Sequence, residues 1–313
     1  MISKKDGAKP IRSLVFCPGD REDEVRKAYE SGADAIMIDL EEPRTPYSEE
    51  QRDTTRKMVN ELLQTMPKRG GPQIFARVQP WQTGQTIKDL RAVIGPWLTA
   101  ILQPKIYQPS DVVGLDSLLT CVETEAGLTK GHTAIYPILE TAQALRLAYE
   151  IGIASPRVAY MGGAISRFGD IYQAIGFRCT PDARETLYLR SKVLIDARAA
   201  GIKYPISGMW TGRLDDEAGL RAWCTELRNI GYYGMMIGDP VLLKVVNEVF
   251  TPTKEELDYW TELDRLSAVA DQSADSDRII HGDAKQGEAH VVHQAHVGSA
   301  RKNLAWAREL GVI

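Results

Sequence analysis

The sequence predicts an α/β protein built as a (β/α)8 barrel, a TIM barrel, with a C-terminal helical extension. Three observations carry that reading. Short β-prone apolar runs alternate with amphipathic helical stretches as far as Phe250. Each run is nearly continuous in apolar residues and is followed by polar ones, as a parallel strand buried on both faces should be. No G-x-G-x-x-G follows a strand, which disfavours the structural competitor, a doubly wound open sheet.

The candidate strands, in order, are residues 13–19, 34–40, 73–78, 100–106, 134–140, 157–163, 204–210 and 234–239, eight in all. Between them, apolar residues at helical spacing predict helices over 22–31, 49–64, 111–125, 142–151, 182–200, 216–229 and 240–250. Gly32, Gly152, Gly201 and Gly231 stand where left-handed C-caps would close four of these. Residues 253–268 read as a further helix, with Glu255 and Glu256 in its first turn complementing the dipole. Residues 271–277 read as a polar linker and 291–310 as another amphipathic helix. The expected division is a barrel domain over 1–252 and an extension over 253–313, able to cover a barrel mouth, its own or a neighbour's.

Of the 313 residues, 43% are hydrophobic and 26% charged, which fits a soluble globular protein and argues against disorder. A net charge of −4 gives no general pull toward nucleic acid. No apolar stretch approaches the roughly 18 residues of a membrane span, and the N-terminus lacks a signal-peptide core. The cytoplasm is the expected location. Cys17, Cys121, Cys179 and Cys224 form no C-x-x-C pair and are expected to be buried thiols.

In such a barrel the active site lies at the C-terminal ends of the strands. The polar residues there are Asp39, Glu41 and Glu42 after the second strand, Arg77 on the third, Lys105 on the fourth and Glu140 on the fifth. Arg167 and Asp170 follow the sixth, and Asp239 ends the eighth. Glu140 and Asp170 are the sharpest pair, since Mg2+ asks for one or two carboxylates plus water and substrate oxygens. Their structural alternatives are a helix-terminal carboxylate and a helix cap. Arg77 suits an anion clamp or an enolate stabiliser. Lys105 could form a Schiff base, but a salt bridge to Asp39 or Glu41 is favoured. His281, His290, His293 and His296 cluster in the tail, and the last three, at i, i+3, i+6, would spread around a helix. A surface or interface role is favoured for them over zinc.

These residues match a known family. The run R-S-L-V-F-C-P-G from Arg12 resembles the R-S-x-L-x-x-P-G opening of the citrate lyase β-subunit / malyl-CoA lyase family, within the HpcH/HpaI aldolase superfamily. D-A-I-M-I-D-L-E-E from Asp34 is similar to its D-x-x-x-x-D-L-E-D strand. The Arg77-Val78, Pro104-Lys105, Glu140-Thr141 and Gly169-Asp170 pairs resemble its R-V, P-K, E-T and metal segments, and V-N-E-V-F-T-P ending at Pro252 its closing motif. The likeness covers about residues 11–257. It implies Mg2+ held by Glu140 and Asp170, Arg77 on the reacting carbonyl, and Asp39 and Glu42 supporting the metal waters. Arg12, Arg77 and Lys105 are the substrate-binding candidates. Glu288 aligns with an acid that reaches a neighbouring subunit's site.

The implied activity is magnesium-dependent Claisen- or aldol-type carbon–carbon cleavage or formation on a hydroxyacyl-CoA, citryl-CoA-like or malyl-CoA-like. An acyl-CoA and an oxo-acid would be the small-molecule partners, in a homotrimer or homohexamer, with no nucleic acid and no membrane. Two alternatives stand beside it: a class II aldolase acting on free 2-oxo acids such as pyruvate, and a non-catalytic CoA-ester-binding subunit of a lyase complex. Glu42, Gln79 and Asp239 depart from the family's pattern, around the substrate.

Overall fold

The computed structural model describes residues 4–41, 48–163, 169–180, 183–270, 279–281, 290–292 and 294–313. The chain forms two compact units, Met1–Phe250 and Thr251–Ile313.

The first unit begins with β1 (Ser13–Pro18), α1 (Glu22–Glu30), β2 (Ala35–Asp39), α2 (Glu49–Thr65), β3 (Gln73–Arg77), α3 (Thr86–Val93), β4 (Leu98–Gln103) and α4 (Pro109–Glu125). It continues through β5 (Ala134–Pro137), α5 (Ala142–Arg146), α6 (Ala148–Ile153), α7 (Asp170–Ile175), α8 (Arg184–Ala199), β6 (Ile206–Ser207), α9 (Glu217–Ile230), β7 (Gly234–Ile237) and α10 (Leu243–Val249). The strands form one curled, parallel, seven-stranded sheet in the order β5-β4-β3-β2-β1-β7-β6.

Side chains alternate across this sheet as the pleat requires. Ile36, Ile38, Ile74 and Ile101 face the helices and join Val25, Val59, Leu90 and Leu119 in the larger core. Leu14, Ala35, Met37, Phe75, Leu102 and Tyr136 face inward and pack on one another. Helix starts follow local chemistry. Ser48 caps α2 by accepting from Gln51 N–H, and the Gln51 side chain accepts from Ser48 N–H, a capping box.

The sixth expected strand is the main correction. Residues 157–163 form no ladder strand, and the sheet is open, with β5 and β6 as its edges. The segment touches β5 through two isolated parallel bridges, Ile135 to Val158 and Ile138 to Gly162. On its other side Ile206 N–H donates to Met161 O at 3.3 Å. Gly162 is needed for that approach, because a Cβ there would fall 1.6 Å from Ile206 O. The expected helix over 142–151 divides at Leu147, whose φ of −101° and ψ of 24° leave the helical region. Gly152 is not a cap either. It lies inside α6, where its missing side chain lets Ala200 come close.

The second unit holds α11 (Lys254–Ala270), the antiparallel hairpin of β8 (Ile279–His281) and β9 (His290–Val292), and α12 (Gln294–Glu309). Leu263, Val297 and Ala300 are its buried contacts, with Trp260 and Trp306 ring to ring at 6.5 Å. Because His290 lies on β9, the three tail histidines do not share a helix. His293 lies outside the described residues. Among the described residues no helix is long and apolar enough to cross a membrane.

Candidate active site

The C-terminal ends of β2 to β5 and the start of α7 bring five of the expected residues together with Glu41. In the parallel register of β2 and β3, Asp39 stands opposite Arg77. The guanidinium uses that neighbour fully: Nε donates to Asp39 Oδ1 at 2.7 Å and Nη2 to Oδ2 at 3.0 Å. Its Nη1 lies 2.9 Å from Glu41 Oε2, and its face covers the Phe16 ring at 5.6 Å. Asp39 Oδ1 also accepts from Glu41 N–H. The buried Gln79 amide donates to both Leu40 O and Glu41 O, which fixes the turn after β2. Sequence reasoning missed the roles of Glu41, Gln79 and Phe16. Only register across β1, β2 and β3 reveals them.

One strand further, Lys105 follows β4 and Pro104 with φ of 50°, left-handed for a residue with a Cβ. Such a conformation costs about 1–3 kcal/mol and persists only where the surroundings over-determine it. Its backbone N–H donates to Glu140 Oε1 at 2.6 Å. Its Nζ lies 2.5 Å from Asp170 Oδ2 and 3.9 Å from Glu140 Oε1. Glu140 sits just before Thr141, the residue that caps α5, and is 5% exposed. Asp170 opens α7 after Gly169. Neither carboxylate caps its helix by a side-chain hydrogen bond.

Two expectations need correction. Lys105 pairs with Asp170 and Glu140, which the sequence did not name as its partners; the charge of Glu41 also acts on it, while Asp39 is taken by Arg77. Arg12 is not in this cluster. It precedes β1, at the opposite end of the strands, where its N–H, Nε and Nη2 all bind Asp34 at 2.7–2.8 Å. Glu42, Arg167 and Glu288 lie outside the described residues. Asp239 accepts from Val241 N–H and caps the turn after β7.

Charge at this end is unbalanced. Among the described residues four carboxylates (Asp39, Glu41, Glu140, Asp170) meet two cations (Arg77, Lys105), and four minus two leaves the charge that one divalent ion would neutralise. Burial raises the Glu140 pKa, and it outweighs the Lys105 N–H bond and the fields of Lys105 and Arg77. Burial pulls Lys105 down, but Asp170, Glu140 and Glu41 hold its pKa above the usual lysine value. The other side of the rim carries Phe16 on β1, Met209 beyond β6 and Gly238 beyond β7, with Asp239 next to Gly238. A cavity of about 280 Å³ adjoins it, lined in part by Phe16, Gly238, Asp239 and Lys27.

The residues present suit magnesium. Glu140 and Asp170 offer hard oxygens, the space between them already holds a cation in the Lys105 ammonium, and one or two carboxylates are what such an ion takes from a protein. Among the described residues no group of three or more His, Cys, Asp or Glu is arranged to hold a metal.

Comparison with known proteins places these residues in context. The family described as HpcH/HpaI aldolase/citrate lyase matches residues 12–240. The citrate lyase subunit beta of Leuconostoc mesenteroides subsp. cremoris is 32% identical, covering 79% of this chain and 78% of its own. A (3S)-malyl-CoA thioesterase of Cereibacter sphaeroides is 27% identical over 98% of both chains. Among solved structures, a citrate lyase from Burkholderia xenovorans superposes with a TM-score of 0.76 at 16% identity, covering 97% of this chain and 92% of its own. The CitE protein of Mycobacterium tuberculosis, solved with magnesium, acetoacetate and coenzyme A, gives 0.69 at 22% identity, covering 96% and 98%. At those identities the superpositions speak to the fold.

Proposed function

Because the chain belongs to the HpcH/HpaI aldolase/citrate lyase family, we propose that it is a magnesium-dependent carbon–carbon lyase that cleaves or forms a hydroxyacyl-CoA. The observation that carries this is the pair Glu140 and Asp170 around a cation, beside an arginine locked by Asp39. In this reading the sheet is a (β/α)8 barrel whose sixth strand is residues 157–163, a view supported by that segment's hydrogen bonds toward both β5 and Ile206.

Glu140 and Asp170 would hold the ion, which when bound supplies a Lewis acid for the carboxylate and hydroxyl of the substrate. Arg77, held rigid by Asp39 and Glu41, aims its guanidinium at the oxygen that turns negative as the bond breaks. Lys105 offers a second positive charge to the substrate's carboxylate. Glu42 would support the metal's waters. The apolar positions on the other side, Phe16, Met209 and Gly238, leave room for the acyl chain. The adjoining cavity favours a thioester over a free oxo-acid. Its walls set Asp23, Glu24 and Asp239 against Lys27, so it suits a neutral pantetheine arm and not phosphates. Glu288, from a neighbouring subunit of a trimer or hexamer, would take the hydroxyl proton. The free cysteines suit a reducing compartment such as the cytoplasm.

A second reading, thioester hydrolysis, is favoured by the full-length relatives named (3S)-malyl-CoA thioesterase. Product analysis on malyl-CoA decides. Glyoxylate and acetyl-CoA report carbon–carbon cleavage, whereas malate and free CoA report hydrolysis. Turnover of pyruvate with an aldehyde in place of either would install the free-acid aldolase, and binding of malyl-CoA with no product at all the non-catalytic subunit. Activity that survives complete chelation of magnesium would sink the metal mechanism.

A further inference from the structure

The Lys105 ammonium stands where a divalent ion would have to stand. Its Nζ is 2.5 Å from Asp170 Oδ2 and 3.9 Å from Glu140 Oε1. A magnesium ion approaches a carboxylate oxygen to about 2.0–2.1 Å, so ion and ammonium cannot share the front of Asp170. Two cations in contact there would also repel strongly at any dielectric a protein offers.

The placement is specific. Lys105 meets both carboxylates, Glu140 through its backbone N–H and Asp170 through its side chain. A left-handed backbone at a residue with a Cβ maintains that double contact. The side chain is 26% exposed on a flexible four-carbon stem, so it has room to withdraw while the backbone bond to Glu140 stays. The carboxylate of Glu41, whose charge reaches Lys105, offers a second place for the ammonium.

We propose that Lys105 is the resident counter-cation of this site: it holds Glu140 and Asp170 in place in the metal-free protein, it leaves Asp170 when a divalent ion enters, and it thereby sets the affinity for that ion. The inference rests on reading Glu140 and Asp170 as the metal ligands. It gives Lys105 two states. In one the ammonium stabilises the metal-free fold. In the other it is released toward the rim, where it meets an anionic substrate only after the ion has bound. Binding order follows, with the ion before the oxo-acid or thioester carboxylate.

Manganese is the probe, because its electron paramagnetic resonance signal counts free ion without any activity assay. Full-length Lys105→Met should bind Mn2+ at least tenfold tighter than wild type. Its metal-free melting temperature should fall, and Mn2+ should raise it more than it raises that of wild type. Lys105→Arg, which keeps the charge, should bind no tighter than wild type. Lys105→Gln serves the same purpose if the methionine variant does not fold. Equal or weaker Mn2+ binding by a folded uncharged variant overturns the proposal. The metal site itself still stands in that case if Glu140→Gln abolishes binding. Mn2+ binding by none of these proteins overturns both readings together.

Discussion

At the N-terminal end of the sheet Arg157 uses all five of its N–H groups, whereas at the C-terminal end the described residues carry an excess of negative charge. Arg157 Nε donates to Asp116, Nη1 to Glu123 and Thr133 O, and Nη2 to Glu123 and Thr120. Lys4 lies close enough for Glu123 to act on its charge, so two cations meet two carboxylates there. Nearby Lys5 donates to Gly152 O and Ala200 O, neutralising two helix C-termini. At the other end, among the described residues, Arg77 and Lys105 face the four carboxylates Asp39, Glu41, Glu140 and Asp170. Both networks have buried members, Arg157 and Glu123 in one and Asp39 and Glu140 in the other, so burial alone does not separate a structural ion network from a functional one. Balance does. A closed account of donors and acceptors stabilises the fold, and an excess of one sign asks for a ligand.

The largest expected effect breaks the balanced end. Arg157→Met leaves Asp116 and Glu123 without their cation, and removing one partner of a buried pair costs about 3–5 kcal/mol. Urea unfolding should show that loss, while turnover per folded molecule stays at the wild-type level. A loss of turnover with unchanged stability would reverse the assignment of the two ends.

The next effect breaks the unbalanced end. Glu140→Gln keeps the shape of a buried side chain but removes a charge that burial disfavours. Turnover should fall at least a hundredfold, roughly 3 kcal/mol of transition-state stabilisation. The metal-free protein should be as stable as wild type or more so, since a residue kept for function is often a liability to the fold. Calorimetry on the metal-free protein, set beside a turnover assay, checks both halves.

A smaller effect comes from pH. Burial pushes Glu123 up, but the Arg157 pair and the N–H groups of Thr133 and Gly131 outweigh it, so its pKa lies below the usual range. A depressed folded-state pKa contributes stability above the unfolded value, about 4.3, and that contribution is lost as pH falls through the folded value. The stability gap between wild type and Glu123→Gln should therefore be widest near neutrality and shrink below about pH 4. A gap that widens in acid would refute the sign.

Much of this contrast is legible in the sequence, and the failures share one cause. Strand-end positions of Asp39, Arg77, Lys105, Glu140 and Asp170 follow from apolar runs and the polar residues that end them. Who pairs with whom does not follow, because pairing depends on register. Asp39 stands opposite Arg77 in the β2–β3 ladder, Glu41 folds back onto the same guanidinium, and only then is Lys105 left for Asp170. Residues 157–163 read as a strand by composition, yet strand assignment needs continuous ladders, and theirs are isolated bridges. Arg157 sits at the start of that run with no sign that α4 would surround it, since its partners on α4 lie 34 to 41 positions earlier in the chain.

Arg12 gives the smallest effect and the sharpest test of which end a residue serves. Motif likeness marks it as a substrate-binding candidate, because it opens the first strand of a matching pattern. Geometry sets it before β1, not after it, and three of its donors go to Asp34. The pair is only partly buried, with side chains 21% and 18% exposed, so solvent screens it and its net worth is about 1 kcal/mol. Arg12→Met should lower stability by about that amount through the lost side-chain bonds, while the Arg12 N–H keeps its bond to Asp34. KM and turnover number should both be unchanged, because the strands separate this residue from the rim where Arg77 and Lys105 stand. A rise of tenfold or more in KM for the thioester, with stability unaltered, would move Arg12 to the active site and undo the division of labour between the two ends.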